Sequence, residues 1–123
     1  MIVACYITFN DIETIQTSIE SIYNQVDRIV VVDGRFTDFD WPADHSTDGT
    51  IEYLQSLAKV ELSLAQPTTE PQKRSQYLTP LHDGDTVLNL DGDEELVGQL
   101  LPLETDVCGI RIFDRNDHNG KLR

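Results

Sequence analysis

The sequence is poor in basic residues and in cysteine, and it contains no long hydrophobic run. Of its 123 residues, 9 are Lys or Arg and 22 are Asp or Glu, which gives a formal net charge of −13. A surface this acidic repels polyanions, so we expect neither nucleic acid nor an anionic membrane as a partner. Asp-rich, Lys-poor surfaces suit proteins that work at high salt, where self-repulsion is screened. A halophilic source is therefore one hypothesis, and an ordinary acidic protein is the other.

Cysteine is limited to Cys5 and Cys108, and each lies inside an apolar run. This placement predicts two buried free thiols, in preference to a disulfide or a metal-binding pair. No basic segment precedes the apolar residues 2–7, and no run reaches the length that spans a bilayer. We therefore expect a cytoplasmic protein without a signal peptide.

The apolar pattern predicts one domain in which strands alternate with helices. Residues 28–33 form a β-branched run without polar alternation, which indicates a strand covered on both faces. After the first strand, apolar residues recur at three- and four-residue spacing, with Asn10 as the predicted helix cap and Glu13 completing a capping box. The predicted order is strand 2–9, helix to residue 23, strand 28–33, a helix opened by 46–50, strand 60–64, helix 72–78, strand 86–90, a helical piece at 96–101 and strand 107–113.

This order predicts an α/β fold with a mostly parallel, Rossmann-like sheet flanked by helices. Strand 60–64 is shorter and more polar than the others, as expected at a sheet edge. Parallel sheets bind their ligands beyond the carboxyl ends of the strands. Polar residues at those ends are Thr8, Asn10, Asp33, Asp91 and Asp93.

The segment Leu90-Asp91-Gly92-Asp93-Glu94 is the strongest local motif. In an extended segment, Asp91 and Asp93 would point the same way. Two carboxylates 4 Å apart repel each other by roughly 4 kcal/mol at an effective dielectric constant of 20, and a divalent cation cancels that repulsion. Hard oxygen ligands in small number suit Mn²⁺ or Mg²⁺ shared with substrate phosphates. The alternative is a solvated acidic turn; an EF-hand is excluded, because Leu96 and Pro102 stand where that loop needs Gly and Glu.

Four further features bear on a possible site. Asp33 follows four buried apolar residues, where a carboxylate without a partner is costly, so we expect it to bind a nucleobase or a ribose. Asp48 is expected mainly to cap a helix. The adjacent Lys73 and Arg74 would provide the counter-charge of a diphosphate, or else form a solvated helix face. The polar stretch 35–46 is longer than the ~2–6 residues usual for such a connection, which predicts an inserted functional loop or a mobile one.

Together these motifs resemble the family 2 glycosyltransferases of the GT-A fold over about residues 2–113. The resemblance rests on the first strand with Asn10-Asp11, on Ser21-Ile22-Tyr23-Asn24-Gln25, on Ile29–Asp33, on Ser46-Thr47-Asp48-Gly49-Thr50 and on Leu90–Glu94. It implies a metal-dependent glycosyltransferase of hexosyltransferase type with a UDP-sugar or GDP-sugar donor. The implied nucleotide-binding residues are Thr8, Asn10, Asp33, Lys73, Arg74 and Asp91, and the implied ligands of Mn²⁺ or Mg²⁺ are Asp91 and Asp93.

The chain departs from that family in two places. Residues 35–45 stand between Asp33 and Ser46 where the family usually has no insertion, and Gly34 occupies a place that is often acidic. The chain also ends 30 residues after Asp93 (123 − 93), whereas the family places its acceptor site and general base further on. We therefore expect residues 1–113 to be a donor-binding domain that is incomplete at its C-terminus, followed by a polar tail at 114–123.

The catalytic base and the acceptor, a saccharide or a lipid-linked molecule, stay unassigned from the sequence. Asp114, Asp117 and His118 are the late titratable candidates, with solvated tail residues as the alternative. A half-domain would expose apolar surface, which favours a homodimer. The rival function is a non-catalytic nucleotide-binding, metal-binding or assembly module derived from the same fold.

Overall fold

The computed structural model describes residues 1–98 and 112–114. Its helices and strands are β1 (Ile2–Thr8), α1 (Ile12–Ile22), a short 3₁₀ helix (Tyr23–Gln25), β2 (Arg28–Asp33), α2 (Thr50–Gln55), β3 (Val60–Leu64), α3 (Glu70–Leu78), β4 (Thr86–Asp91), β5 (Glu94–Leu96) and β6 (Ile112–Asp114).

The first four strands form one parallel sheet in the order β3-β2-β1-β4. In its register, Thr8 lies opposite Asp33 on one side, and Ile7 lies opposite Asp91 on the other. The carboxyl ends of β1, β2 and β4 therefore meet at one edge of the sheet. The predicted α/β fold with a mostly parallel sheet flanked by helices is confirmed.

Both faces of the central strands are covered, which explains their uninterrupted apolar runs. One face packs Tyr6 and Val31 against the Ile stripe of α1 and against Leu54 of α2. The other face packs Cys5 and Val32 against Tyr77 of α3. Cys5 is a buried free thiol, as predicted, and Cys108 lies outside the described residues.

β3 lies at one edge of the sheet and is partly exposed, in agreement with its polar sequence. The helical piece predicted at 96–101 is wrong at its start, because Leu96 ends strand β5. Leu96 is buried against α1, and its N–H donates to Ser21 Oγ at 3.0 Å. β5 pairs antiparallel with β6, whose first two residues fall in the strand predicted at 107–113; the rest of that strand lies outside the described residues.

The predicted capping box at Asn10 is also wrong. α1 begins at Ile12, and Asn10 has a positive φ of 53°. The Asn10 side chain instead accepts from the N–H of Thr47 at 2.8 Å, and its N–H donates to Ser46 Oγ at 2.7 Å. The first N–H of the helix, that of Ile12, donates to Asp48 Oδ2 at 3.1 Å. The capping function predicted for Asp48 thus extends to a helix that begins 36 residues earlier in the chain.

Among the described residues, no helix has the length and apolar character needed to cross a bilayer.

Candidate functional site

A cavity of about 510 Å³ opens at the carboxyl ends of β1 and β4. Its wall also includes the start of α1, Phe36 and one side of α3. Six of the seven residues predicted for the site line this cavity; they are Thr8, Asn10, Lys73, Arg74, Asp91 and Asp93. The sheet topology thus brings together residues that are up to 85 positions apart (93 − 8).

Asp33 is the predicted residue that does not line the cavity. Its side chain is fully buried and accepts hydrogen bonds from Thr8 Oγ1 at 2.7 Å, from the N–H of Ser46 at 2.8 Å and from Ser46 Oγ at 2.5 Å. These donors compensate for the cost of burying a carboxylate. Asp33 therefore joins β1, β2 and the segment before α2, and its contact with a nucleoside stays a prediction.

The residue after Asp33 explains one departure from the glycosyltransferase pattern. A Cβ atom on Gly34 would lie 2.8 Å from the backbone oxygen of Ala65, so an acidic side chain does not fit there. The N–H of Gly34 donates to Thr8 O at 3.1 Å. Close approach of the two backbones at the carboxyl ends of β2 and β3 thus requires glycine.

Lys73 extends from α3 into the core beneath the cavity. Its Nζ donates to Thr8 O at 2.7 Å and to Gly34 O at 2.5 Å, and it lies 4.9 Å from the ring centroid of Phe36. Burial lowers the pKa of Lys73 to about 8, against the opposing influence of Asp33 and Asp11. Lys73 thus fastens α3 to the ends of β1 and β2, which the sequence pattern did not indicate.

Arg74 is the cation at the rim of the cavity. Its NH2 donates to Asp91 Oδ1 at 2.7 Å and to Glu70 Oε1 at 3.0 Å. Its side chain is 31% exposed, and that of Asp91 is 48% exposed. Arg74 and Asp91 are both accessible to solvent. An anion that enters the cavity can therefore accept hydrogen bonds from the Arg74 guanidinium in place of the carboxylates.

Asp91 and Asp93 reach the cavity by a different route from the one predicted. Asp91 ends β4, whereas Gly92 and Asp93 form a turn into β5, so the two acids do not alternate along one extended strand. The N–H of Asp91 donates to Glu94 Oε1 at 2.8 Å, which holds the turn. A Cβ on Gly92 would lie 3.0 Å from Asp11 Oδ2, so glycine leaves room for a third carboxylate behind the turn.

Asp11, Glu70, Phe9 and Phe36 line the cavity but were missed by the sequence analysis. Asp11 accepts from the N–H of Phe9 at 3.1 Å, and burial raises its pKa to about 6. Glu70 and Arg74 lie four residues apart on α3, a spacing that favours an ion pair, but the predicted helix began at residue 72 and so left Glu70 out. Of the late titratable candidates, Asp114 pairs with Glu94 at the end of β6, and Asp117 and His118 lie outside the described residues.

The carboxylate oxygens of the cavity suit a divalent cation only when a phosphate group supplies further oxygens. In residues 1–98 and 112–114, no group of three or more His, Cys, Asp or Glu residues is arranged to hold a metal ion. Two carboxylates that share a cavity with Arg74 still fit Mg²⁺ or Mn²⁺ chemistry, because such ions often take one or two carboxylates and complete their shell with phosphate oxygens.

No family model and no curated protein matches the sequence significantly. Solved structures do match. The crystal structure of S. aureus TarS 1-349 in complex with UDP aligns with a TM-score of 0.61 and 20% identity, over 80% of this chain and 29% of that one. A second crystal structure of S. aureus TarS 1-349 gives a TM-score of 0.56 and 20% identity, over 77% of this chain and 28% of that one.

The fold is that of the aligned part of S. aureus TarS, which agrees with the predicted GT-A-like fold. A further structure of S. aureus TarS agrees, with a TM-score of 0.56 and 21% identity over 80% of this chain and 17% of that one. The chain therefore spans less than a third of the length of these solved chains.

Proposed function

We propose that the cavity binds the nucleoside diphosphate of a sugar donor, and that the chain is the donor-binding part of a metal-dependent glycosyltransferase. The ion pair of Arg74 with Asp91 at the carboxyl edge of a parallel sheet is the observation that supports this most directly. UDP in a structural neighbour supports a uridine nucleotide as the first ligand to test.

Arg74 would donate to an oxygen of the diphosphate, since a guanidinium forms strong, directional hydrogen bonds with phosphate. Asp91 would then exchange part of its pairing with Arg74 for a cation. Lys73 would act indirectly, because its Nζ already donates to Thr8 O and Gly34 O. It would keep the strand ends at the spacing that the donor requires.

Asp91 and Asp93 would hold Mn²⁺ or Mg²⁺ together with the diphosphate. When bound, the ion would supply a Lewis acid that offsets negative charge on the leaving phosphate. Five acids line the cavity, Asp11, Glu13, Glu70, Asp91 and Asp93, against the two bases Lys73 and Arg74. A diphosphate would therefore bind poorly without a cation. The cation would in turn bind weakly without the diphosphate, because no group of three or more acids among the described residues is arranged to hold a metal ion.

Calorimetry with UDP and GDP, each with and without Mn²⁺, tests this proposal. We expect the protein to bind the nucleotide only when Mn²⁺ is also present. Asp91→Asn and Asp93→Asn should each weaken it by about tenfold or more, which corresponds to roughly 1.4 kcal/mol or more. Asp83→Asn is the matched control, because Asp83 is an exposed acid outside the cavity.

Equal nucleotide affinity with and without metal, or equal affinity in all three variants, would contradict the proposal. Self-association without nucleotide binding would instead favour the assembly module. The acceptor and the general base are not assigned to any described residue, so we expect this chain alone to transfer sugar poorly. Efficient transfer from a panel of nucleotide sugars would show that a base is present.

A further inference from the structure

The loop between β2 and α2 carries two exposed aromatic side chains beside the cavity. Phe39 and Trp41 are stacked, with ring centroids 5.6 Å apart and an interplanar angle of 11°. Phe39 also meets Phe9 edge to face at 5.9 Å, and Phe9 lines the cavity. Phe39 is 46% exposed and Trp41 is 44% exposed. We call these three residues the aromatic platform.

The loop that carries the platform is held by hydrogen bonds at several points. The Arg35 guanidinium donates to Phe39 O at 2.7 Å and pairs with Asp44 at 3.3 Å. The N–H of Arg35 donates to Asp44 O at 2.8 Å, and that of Thr37 donates to Thr68 O at 3.0 Å. The two sequence-based alternatives for residues 35–46 were a functional or a mobile loop, and these contacts argue against the mobile one. Two exposed aromatic rings held in this way lose little entropy when a ligand stacks on them.

We propose that the aromatic platform binds a neutral saccharide, as the acceptor subsite next to the donor cavity. Flat aromatic faces pack against the C–H faces of sugar rings. The same loop supplies exposed carboxylates, Asp38, Asp40 and Asp44, which accept hydrogen bonds from hydroxyl groups. These acids also disfavour an anionic ligand. The acceptor assignment rests on the proposed donor function, whereas saccharide binding itself rests on the platform.

The sequence contains one tryptophan, Trp41, so its fluorescence reports on the platform alone. Neutral probes are maltohexaose, cellohexaose and chitohexaose, each titrated to millimolar concentration. We expect at least one of them to change Trp41 emission saturably. UDP with Mn²⁺, titrated separately, should bind by calorimetry in the same protein.

Phe39→Ala keeps the fluorophore and should weaken saccharide binding at least about fivefold, with nucleotide affinity unchanged. Trp41→Ala, followed by calorimetry, should weaken it similarly, and Trp41→Phe should restore part of the affinity. Leu78→Ala is the control, because Leu78 is 50% exposed but belongs neither to the platform nor to the cavity. Urea unfolding of each variant checks that it is folded.

Two results would overturn this inference. In the first, none of the three oligosaccharides changes Trp41 emission. In the second, UDP changes the emission and Phe39→Ala abolishes nucleotide binding, which would assign the platform to the nucleobase, since bases also stack on aromatic side chains. Saccharide binding without nucleotide binding would retain the platform and overturn only the donor function.

Discussion

Two buried charges of opposite sign, Asp33 and Lys73, lie at the carboxyl ends of β1 and β2. Asp33 accepts from side chains and backbone of two segments, and Lys73 donates to the backbone at Thr8 and Gly34. Each charge has hydrogen-bond partners, which makes burial tolerable. Because Thr8 contacts both residues, they act on the same strand end. The cavity thus has a rigid base formed by groups that are themselves largely inaccessible.

Asp33→Ala should destabilise the fold by about 3–5 kcal/mol, because it leaves the buried N–H of Ser46 and two hydroxyl groups without their acceptor. Urea unfolding at neutral pH measures this change. Asp38→Ala, at an exposed acid of the neighbouring loop, is the control and should change the free energy of unfolding by less than about 0.5 kcal/mol. If Asp33→Ala lowered the free energy of unfolding as little as Asp38→Ala, Asp33 would not be joining β1, β2 and the segment before α2 as inferred.

Lys73 should make stability depend on alkaline pH. Its pKa of about 8 lies below the unfolded value of 10.5, mainly because of burial, with Arg74 acting in the same direction and Asp33 and Asp11 opposing. Between these values the unfolded chain binds more protons, so the Lys73 contribution to stability rises with pH from about 8 to 10.5. The neutral amine still has two N–H groups for its two carbonyl acceptors.

The measurement is the difference in free energy of unfolding between the parent and Lys73→Met at each pH. We expect this difference to grow in favour of the parent as pH rises through that window. Other alkaline groups cancel in the difference, since both proteins contain them. A difference that is constant or shrinks would mean that Lys73 has an ordinary or a raised pKa.

At the scale of helices and strands, the sequence predicted what local composition determines. β2 and β3 have the predicted bounds, because an unbroken β-branched run and a short polar strand both leave clear limits. The start of α1 was predicted wrongly, since its cap is Asp48 from a distant segment. The same limit applies to the site. The strand-end rule placed Thr8 and Asp91 at the same edge of the sheet in advance. It did not reveal that Asp33 is buried, because that burial depends on contacts with Ser46, 13 residues further along the chain.

Helix α3 offers an element-scale test, because the chain has two lysines with the same kind of contact. Lys73 joins α3 to the carboxyl end of the sheet, whereas Lys59 Nζ donates to Tyr23 O at 2.6 Å and Val26 O at 3.0 Å, before β3. Lys73→Met and Lys59→Met should each lower the free energy of unfolding by about 1–3 kcal/mol, since each leaves two carbonyl oxygens without a donor. Lys73→Met alone should also weaken nucleotide binding, because the cavity lies above it.

Calorimetry with UDP and Mn²⁺ on both variants provides the comparison. Conditions must keep each variant folded, which the unfolding curves establish. Nucleotide affinity equal to that of the parent in Lys73→Met would mean that the position of α3 does not affect the donor site. Equal losses in both would attribute the effect to general stability.

At the scale of the whole molecule, net charge determines how stability and ligand binding depend on the ions in solution. The net charge of −13 is spread over a small domain, and acids also outnumber bases in the cavity. Repulsion of this kind destabilises a compact state. The excess of acids in the cavity also means that an anionic ligand needs a cation in order to bind there. Stability and donor binding should therefore both respond to the ionic composition of the solution.

Monovalent salt should raise the urea midpoint of this protein. Between about 0.1 M and 1 M, the screening length falls from about 10 Å to about 3 Å, so repulsion among the surface acids is largely removed.

A triple variant with Asp38→Asn, Glu52→Gln and Asp83→Asn, all at exposed positions, takes the net charge from −13 to −10. It should be more stable than the parent at low salt and gain less as salt is added. Salt also strengthens apolar burial, but that effect is the same in both proteins, so the difference between them isolates screening. Coincident salt curves for the two proteins would mean that surface charge does not limit stability, and the halophilic hypothesis would lose its physical basis.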